Sequence, residues 1–414
     1  MIKSILDTDL YKFSVSYAYF NLYPLAEGEF VFTDRRQERW TDPNQRKMLA
    51  DMFRDEMEKL SSLKASVAET KWCAKHIPYI PQTYWEWLRS FWFDFSKVKF
   101  FFDDDCVFHC SVTDKLYKST LYEIAVLATY SEIRNRVLGV TPDAVKVYDI
   151  IHSKIRYANK NGIRFSEFGT RRRFSSEVQE IVLQEIMNNS ETCVGTSNVY
   201  YAMKYGMKPI GTFPHEWVMF HGACFGYKRA NYLSLEDWIA VYKGDLGIAL
   251  IDTYTTDSFL HTLTKQQAML LSGFRQDSGD EIEVGEKIIE RLNQLGINPK
   301  TKTIVFSNAL DFEKADRVKK HFEDMCGVSF GIGTNLTCDI GQEDYKPANI
   351  VMKLSKCRLS DKDCYENCIK ISDDTGKQMG SSIEFGIANE ELRLHIDRYK
   401  LSMEEQKFYC PLAK

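Results

Sequence analysis

Short apolar runs alternate with helical segments through the middle of the chain. Residues 143–161 carry a helical pattern that stops at Gly162, and residues 281–295 carry another that stops at Gly296. Residues 311–325 have the same helical texture. The apolar runs between these segments have the length of strands, and they occupy residues 163–168, 193–196, 209–212, 247–251, 272–276, 303–307 and 328–332. Repeated strand–helix units of this kind predict a parallel sheet.

Both ends of the chain have a different texture. Near the start, Glu29–Phe32 has the composition of a strand, and Asp42 followed by Pro43 marks the beginning of a helix. Residues 349–377 return to hairpin-like sequence. These patterns predict a mixed α and β layer that both ends of the chain build together.

The predicted fold is therefore of the α/β class and has two parts. Residues 121–348 are expected to form an irregular, TIM-like barrel of parallel strands. Residues 1–120 are expected to form an α+β sandwich domain, which the C-terminal segment 349–414 joins. In a parallel barrel the functional residues sit at the C-terminal ends of the strands, so the residues after each apolar run are the candidates for a site.

Polar residues follow seven successive apolar runs at the same relative place. Ser, Asp, Asn and Gly at such places fit ordinary turns, but turn chemistry does not explain why His, Arg and Asp recur there as well. We therefore predict an active site on this face of the barrel. The residues concerned are Phe168, Gly169, Arg171, Ser197, Asn198, Thr212, His215, Glu216, Asp252, Arg275, Asp277, Ser278, Gly279, Asn308, Asp311, Gly333, Thr334 and Asn335.

The run Arg164–Arg173 is the most distinctive of these strand ends. Arg171, Arg172 and Arg173 are predicted to stand at the start of a helix, where free backbone N–H groups and the helix dipole already favour anions. Guanidinium groups at that place predict a site for a compact, phosphorylated anion, with Arg171 as the candidate ligand. The sequence leaves Arg172 and Arg173 open between phosphate contacts, helix-end charges and plain surface.

Small residues late in the barrel indicate where a phosphate would bind. Gly331, Gly333 and Thr334, together with Asn308, can bring backbone N–H groups close to a phosphate. Arg275 adds a positive charge that suits a phosphate or a carboxylate.

The acidic residues and a histidine indicate the chemistry. Asp252 and Asp277 can hold Mg²⁺ through hard oxygen ligands or stabilise a developing cation. His215 is the only histidine among the strand-end residues, and beside Glu216 and Asp252 it is a candidate nucleophile or general base.

Composition narrows the class of protein. The 414 residues include 54 basic and 58 acidic side chains, and a formal net charge of −4 excludes the global basic field that would indicate nucleic acid or a membrane as a partner. No apolar run reaches the ~20 residues of a membrane span. Acidic residues at Asp7 and Asp9 come too early for a signal peptide, so we expect a cytoplasmic protein.

The cysteines are scattered along the chain. All eleven lack paired spacing, which favours reduced thiols over a disulfide framework. Cys357, Cys364 and Cys368, with Cys410 far behind them, leave a metal site open. Because the spacing is irregular and no CxxC pair is present, ordinary thiols are the preferred interpretation.

Several longer motifs resemble the nicotinate phosphoribosyltransferases, type II phosphoribosyltransferases of NAD salvage (the Preiss–Handler route). The resemblance extends over nearly the whole chain and keeps the family's order. Its motifs lie at Leu6–Lys12, Arg164–Arg173, Gly195–Asn198, Gly211–Met219, Arg275–Asp280, Phe330–Asn335 and Lys370–Asp373. The family implies a reaction of nicotinate with 5-phosphoribosyl 1-pyrophosphate (PRPP), coupled to ATP hydrolysis, that gives nicotinate mononucleotide and pyrophosphate.

The resemblance also implies roles for the residues of the reaction centre. His215 matches the histidine that ATP phosphorylates, and Arg275 matches an arginine near the substrate carboxylate and the phosphates. Asp252 and Asp277 match acidic positions near the ribose and the metal. Pyrophosphate is expected to leave with Mg²⁺, and no dedicated set of protein ligands for a metal is implied.

Further matches concern the substrates. Tyr11 and Phe168 match the aromatic pair that holds the pyridine ring, and Arg171 matches an arginine near its carboxylate or a phosphate. Thr196 and Ser197 match substrate-binding positions. The loops that bind the 5-phosphate match Asn308, Gly331, Gly333 and Thr334.

Ser197 distinguishes the nicotinate phosphoribosyltransferases from their close relatives that use nicotinamide. The similar nicotinamide phosphoribosyltransferases carry an acidic residue at this place, which would repel a carboxylate, whereas Ser197 can donate a hydrogen bond to one. Nicotinate is therefore the preferred substrate; a nicotinamide phosphoribosyltransferase is the alternative, and a non-catalytic PRPP-binding protein is a more distant one. Type II enzymes often complete the ring site with Tyr11 from a neighbouring subunit, so the resemblance leaves a homodimer open.

Overall fold

A computed structural model describes residues 1–392, whose strands form one antiparallel and one parallel sheet. The strands are β1 (Glu27–Asp34), β2 (Val98–Phe102), β3 (Phe108–Lys115), β4 (Phe165–Glu167), β5 (Cys193–Thr196), β6 (Ile248–Leu250), β7 (Gly273–Gln276), β8 (Thr303–Phe306), β9 (Gly327–Ile332), β10 (Ile350–Arg358) and β11 (Glu366–Asn367).

Helices fill most of the sequence between the strands. They are α1 (Leu10–Leu22), α2 (Pro43–Leu60), α3 (Val67–His76), α4 (Gln82–Leu88), α5 (Leu116–Ser119), α6 (Tyr122–Val137), α7 (Ala144–Lys160), α8 (Ser176–Asn189), α9 (Val199–Tyr205), α10 (His215–Phe225), α11 (Tyr227–Tyr242), α12 (Thr256–Thr262), α13 (Lys265–Leu270), α14 (Glu281–Gln294), α15 (Phe312–Phe322), α16 (Thr334–Thr337) and α17 (Ser382–Glu391).

Local sequence signals place the helix ends as expected. Asp42 caps α2 by accepting from the backbone N–H of Asn44, and Pro43 occupies the first turn. Gly162 and Gly296 follow α7 and α14 with φ of +59° and +69°. A left-handed conformation at this position ends a helix, and glycine adopts it without a steric penalty.

The parallel sheet confirms the strand–helix alternation read from the sequence. Within residues 1–392 it has six strands in the order β5-β4-β9-β8-β7-β6, and each corresponds to a predicted strand. The seventh prediction, residues 209–212, was wrong: the chain there makes only a parallel bridge between Pro209 and Thr196. Pro209 has no N–H to donate to a neighbour on its other side. Closure of this sheet into a barrel stays a prediction.

The antiparallel sheet combines the two ends of the described chain. Its order is β11-β10-β1-β3-β2, and β1 pairs with β10 from Glu27 opposite Arg358 to Asp34 opposite Ile350. The predicted domain boundaries stay predictions. Residues 393–414 of the predicted C-terminal segment, with Cys410, lie outside the described residues.

Two helices lie between the sheets and position the site. Helix α6 is buried along nearly its whole length and contacts both β10 and the turn after β4. Helix α10 begins at His215, after the loop that contains the bridge between Pro209 and Thr196, and also contacts β10. The C-terminal ends of the parallel strands therefore face the antiparallel sheet across these helices. In the described part of the chain, no helix has the length and apolar character to cross a membrane.

Candidate active site

A cavity of about 380 Å³ opens at the C-terminal ends of the parallel strands. Residues of β10 and of the segment after it close its other side. Thr196 and Asp252, which the sequence placed in the site, do not line this cavity; both are fully buried behind its wall. The predicted site residues that line it are Tyr11, Phe168, Gly169, Arg171, Ser197, Thr212, His215, Glu216, Arg275, Asp277, Asn308, Gly331, Gly333 and Thr334. Five other predicted strand-end residues do not line it: Asn198, Ser278, Gly279, Asp311 and Asn335.

His215 occupies one end of the cavity, at the first position of α10. Its Nε2 lies 2.9 Å from Lys370 Nζ and 3.2 Å from Asp277 Oδ2. Its Nδ1 lies 2.9 Å from Thr253 Oγ1. The side chain is 18% exposed, so the ring is held on both nitrogens while one edge still faces the cavity.

The imidazole of His215 is neutral at physiological pH. Burial and the ammonium group of Lys370 lower its pKa to about 4. Because an ammonium can only donate, we assign the lone pair to Nε2, which accepts from Lys370, and the proton to Nδ1, which donates to Thr253. In this neutral tautomer Nε2 is unprotonated, so it is the ring nitrogen that can act as a nucleophile once Lys370 no longer donates to it.

Asp252 and Asp277 are the carboxylates beside His215. Burial alone would raise the pKa of Asp252, but the Lys370 ammonium 3.2 Å away offsets this and holds the pKa below its usual range. Burial has the same effect on Asp277, and Arg275, 3.3 Å away, is the main group that lowers its pKa well below the usual range. Both side chains are therefore ionised at neutral pH.

These carboxylates fit a hard divalent cation. One ligand atom from each of His215, Asp252 and Asp277 lies within 4.8 Å of the others. Asp252 Oδ1 is buried and has no hydrogen-bond partner among the described residues, so it is an oxygen free to bind a cation. Mg²⁺ prefers such oxygen ligands. Lys370 already occupies the lone pair of His215, so the two carboxylates are the fitting ligands.

Lys370 is a functional candidate that sequence reasoning missed. It is 2% exposed and reaches His215 from the segment after β11, on the far side of the cavity from the parallel sheet. Its only local signal is its place at the head of the motif Lys370–Asp373. The contact with His215 joins residues 155 positions apart and could not be read from spacing.

Phe168 and Tyr11 also line the cavity. The ring of Phe168 packs against Gly331 so closely that a Cβ there would lie 2.5 Å from the ring. A Cβ at Gly333 would lie 2.9 Å from the Phe168 carbonyl oxygen. Glycine at both places therefore lets the Phe168 segment lie against β9. The hydroxyl of Tyr11 donates to Glu123 at 3.3 Å, which orients the second aromatic ring.

Asn308 and Thr334 lie at the cavity wall beside the last parallel strands. The Asn308 carbonyl oxygen accepts from Lys377 Nζ at 2.6 Å. Lys377 also lines the cavity. The loop after β8 therefore presents an amide, and the segment after β11 an ammonium, to the same space.

The arginine run divides into three environments. Arg171 lines the cavity, and no described residue forms a hydrogen bond or ion pair with its guanidinium. Arg172 lines the cavity too and donates to the carbonyl of Ile350 at 2.9 Å. Arg173 is fully buried and ion-paired with Asp7 at 2.9 Å. Arg173 is thus part of the scaffold, and Arg171 is the cation available to an anionic ligand.

The helix predicted to begin at these arginines begins later. Residues 170–172 form a single 3-10 turn, and α8 starts at Ser176. The Ser175 side chain accepts from the backbone N–H of Val178 and so supplies the cap. The prediction of arginines at a helix start was therefore wrong.

Thr196 and Ser197 make different contacts. Thr196 Oγ1 donates to the buried carboxyl of Glu167 at 2.5 Å, away from the cavity. Ser197 Oγ donates to Asp9 Oδ1 at 2.7 Å, and both of these side chains line the cavity. Sequence reasoning did not include Asp9, which precedes α1 and has the local pattern of a helix cap.

The cysteines of the described chain are free thiols. Cys357 Sγ lies 3.4 Å from Cys368 Sγ and 3.7 Å from Cys224 Sγ, whereas Cys364 is exposed. The three cysteines singled out by the sequence therefore do not form one cluster, and within residues 1–392 the candidate metal-binding group contains no cysteine.

Two family models match the chain over most of its length. The model of the nicotinate phosphoribosyltransferase (NAPRTase) family matches residues 163–403, and the model of the NAPRTase N-terminal domain matches residues 6–131.

Curated relatives and solved structures agree with these matches. A nicotinate phosphoribosyltransferase from Desulforapulum autotrophicum is 38% identical, with 93% of this chain and 97% of that protein covered. One from Chromohalobacter salexigens is 36% identical, with coverages of 95% and 99%. The crystal structure of a nicotinate phosphoribosyltransferase from Porphyromonas gingivalis superposes with a TM-score of 0.92 at 41% identity, covering 95% of this chain and all of that chain (100%). The chain belongs to the nicotinate phosphoribosyltransferase family.

Proposed function

We propose that this enzyme transfers the 5-phosphoribosyl group from PRPP to nicotinate and couples the transfer to ATP hydrolysis through a phosphohistidine at His215. The observation that carries the proposal is the neutral imidazole of His215, held between Lys370 and Asp277 in a cavity that also contains Tyr11 and Phe168. Family membership supports the pyridine nucleotide product and a place in NAD biosynthesis.

Phosphorylation of His215 is the ATP-dependent step. Lys370 moves its hydrogen bond from Nε2 of His215 to the γ-phosphate, and Nε2 attacks the γ-phosphorus. A P–N bond forms and the bond to the β-phosphate oxygen breaks, so ADP leaves with the electron pair of that bond. The lowered pKa of His215, about 4, keeps this nitrogen unprotonated at neutral pH. Lys370 and Arg275 are the nearby cations that offset the negative charge of the transferred group.

Phosphoribosyl transfer takes place in the same cavity. The bond from the anomeric carbon to pyrophosphate breaks, and the pyridine nitrogen forms the new bond to carbon. This nitrogen is already unprotonated, so no general base is needed. The carboxylates of Asp252 and Asp277 stabilise the positive charge that develops on the sugar. They would also hold Mg²⁺, which when bound neutralises charge on the leaving pyrophosphate.

The opposite end of the cavity holds nicotinate. Tyr11 and Phe168 provide apolar faces for the ring, and the unpaired guanidinium of Arg171 provides charge for its carboxylate or a nearby phosphate. The backbone around Gly331 and Gly333, with the polar groups of Asn308 and Thr334, receives the 5-phosphate; their position beside β8 and β9 supports this role.

We also propose a barrel and a second domain for this chain. The parallel sheet closes into an irregular barrel over residues 121–348, and the antiparallel sheet is the centre of a second domain built from residues 1–120 and 349–414. Pairing of β1 with β10 supports this division, because strands from both ends of the chain share one sheet.

The test is the formation of nicotinate mononucleotide with and without ATP, in the wild type and in His215→Ala. We expect ATP to raise the rate and the yield in the wild type and to have no effect in the variant. His215→Asn, which keeps a hydrogen-bonding side chain, is the second variant. Equal stimulation by ATP in all three proteins would contradict the proposal.

A panel of pyridine bases tests the substrate. Nicotinate, nicotinamide and quinolinate are compared at equal concentration with PRPP. We expect kcat/KM to be highest for nicotinate. A higher value for nicotinamide would favour the alternative activity.

A further inference from the structure

Asp9 is a carboxylate inside a pocket that has to accept another carboxylate. Its side chain is 6% exposed and lines the cavity together with Tyr11, Phe168, Arg171 and Ser197. Asp9 occupies the capping position of α1, but its side chain makes no capping hydrogen bond. Ser197 Oγ donates to it at 2.7 Å, and the hydroxyl of Thr170 lies close by.

The backbone holds Asp9 and Ser197 together. Leu10 N–H donates to the Ser197 carbonyl at 2.7 Å, and Val199 N–H donates to the Thr8 carbonyl at 3.0 Å. Asp9 and Asn198 form an antiparallel bridge. This pairing holds the backbones of Asp9 and Ser197 beside each other.

The hydrogen bond from Ser197 to Asp9 conflicts with the binding of a second carboxylate at Ser197. A serine hydroxyl has one proton, and in this structure Ser197 donates it to Asp9. While that bond exists, Ser197 has no proton for the carboxylate of nicotinate. An ionised Asp9 would in addition repel the incoming carboxylate, because two carboxylates in one buried site do not both stay ionised.

We propose that Asp9 is a positioning residue that takes up a proton when nicotinate binds and orients the substrate carboxylate through Ser197. The protonated Asp9 donates to Ser197 Oγ, and Ser197 then donates to the carboxylate. One proton comes from solvent, and no other bond changes. This inference rests on nicotinate being the substrate, as proposed above.

The groups around Asp9 support the uptake of a proton by its side chain. Burial raises the pKa of Asp9 to about 6, while Ser197 and Arg171 partly oppose that rise. Glu123 and Glu167 are the other carboxyl groups that face it, and the hydroxyl of Tyr11 lies close by. A second carboxylate adds to the negative charge and raises the pKa further.

The consequence is a pH-dependent affinity. Nicotinate binding should weaken as pH rises above the pKa of free Asp9, because each binding event then requires a proton from a more basic solution. With one linked proton, KM for nicotinate should rise about 10-fold per pH unit in that range. Nicotinamide carries no charge and should show no such rise, so the preference for nicotinate should decrease as pH increases.

Asp9→Asn is the main test, because an amide can donate to Ser197 without taking up a proton. We compare KM for nicotinate from about pH 5.5 to about pH 8.5 in the wild type, in Asp9→Asn and in the exposed control Asp104→Asn. We expect a rising KM in the wild type and the control, and a flat, low KM in Asp9→Asn. A flat profile in the wild type, or the same slope in all three proteins, would overturn the inference.

Calorimetry on the wild type keeps the test independent of any variant's folding. Binding of nicotinate is measured near neutral pH in two buffers with different ionisation enthalpies. Uptake of about one proton supports the inference, and uptake of none overturns it. If nicotinate gives no product at any pH, the proposed function fails instead, and the two failures are thus distinguished.

Discussion

The two ends of the cavity are built in opposite ways. The histidine end is defined as His215, Asp252, Arg275, Asp277 and Lys370. Lys370 pairs with Asp252 and Arg275 pairs with Asp277. The neutral ring of His215 lies between Lys370 and Asp277.

The ring end is defined as Asp9, Tyr11, Phe168, Arg171 and Ser197. It contains two aromatic faces, two hydroxyl donors, one carboxyl group and a guanidinium with no hydrogen-bond or ion-pair partner in the described chain. In the described part of the molecule, the charged groups of the histidine end therefore pair with one another, and Asp252 Oδ1 alone is left open to a cation, whereas at the ring end the guanidinium of Arg171 is left for a ligand. This difference supports the proposal that one end reacts with phosphates and the other selects the base.

The comparison predicts that substitutions at the two ends separate kinetically. Changes at the histidine end should lower kcat and the phosphorylation of His215 with little change in KM for nicotinate. Changes at the ring end should raise KM for nicotinate with little change in kcat or in the phosphorylation of His215.

Asp277→Asn should have the largest effect. The carboxylate accepts from Ser307 at 3.0 Å as well as contacting His215 and Arg275, so its loss disturbs several positioned groups. We expect kcat to fall about 10²–10³-fold, as for the loss of a preorganised electrostatic contact. Ser307→Ala is the control, since it removes the hydrogen bonds of Ser307 with Asp277 and Arg275 but keeps both of their charges. An unchanged kcat with a large rise in KM for nicotinate would refute the assignment.

Lys370→Met should lower the rate of phosphorylation by a smaller factor and should also change how that rate depends on pH. Burial and then Lys370 lower the pKa of His215 to about 4, so removing the ammonium raises that pKa. The acid limb of the phosphorylation rate, where His215 becomes protonated, should move to higher pH. We expect a rate loss of about 10- to 100-fold at neutral pH. Lys370→Arg keeps the charge and should keep the limb near its original place; a limb unmoved in both variants would count against the role of Lys370.

Phe168→Leu should have the smallest effect and act on the other end. The substitution removes an aromatic face but keeps an apolar side chain. An aromatic contact contributes about 0.5–1.5 kcal/mol beyond burial, so KM for nicotinate should rise about 2- to 10-fold. Phosphorylation of His215 should be unchanged. Phe101→Leu, at a residue that is 59% exposed, is the matched control. Loss of phosphorylation in Phe168→Leu would break the separation of the two ends.

Sequence patterns predicted strands and helix ends correctly where these depend on residues close together in the chain. The apolar runs of the parallel sheet and the stops at Gly162 and Gly296 depend on neighbours within a few residues, and the structure has them where the pattern predicts. The prediction for residues 209–212 was wrong because Pro209 alters the hydrogen bonding of the segment, which periodicity does not register.

The parts of the site that the sequence missed depend on distant partners. Asp9 has the local pattern of a helix cap, but its side chain instead accepts a hydrogen bond from the hydroxyl of Ser197, 188 positions away in the chain. Lys370 meets His215 only because the segment after β11 folds back over the strand ends. Arg171 and Arg173 are two residues apart and identical in type, yet Asp7 pairs with only one of them. Tertiary contacts of this kind leave no mark in spacing or composition.

One labelling experiment tests the separation of the two ends most directly. The wild type, Asp277→Asn and Phe168→Leu are incubated with ATP labelled in its γ-phosphate, and acid-labile label on His215 is measured before and after addition of nicotinate and PRPP. The account predicts label on the wild type and on Phe168→Leu, little on Asp277→Asn, and discharge of the label from the wild type when both substrates are added. Absence of label from the wild type, or label on a residue other than His215, would contradict it.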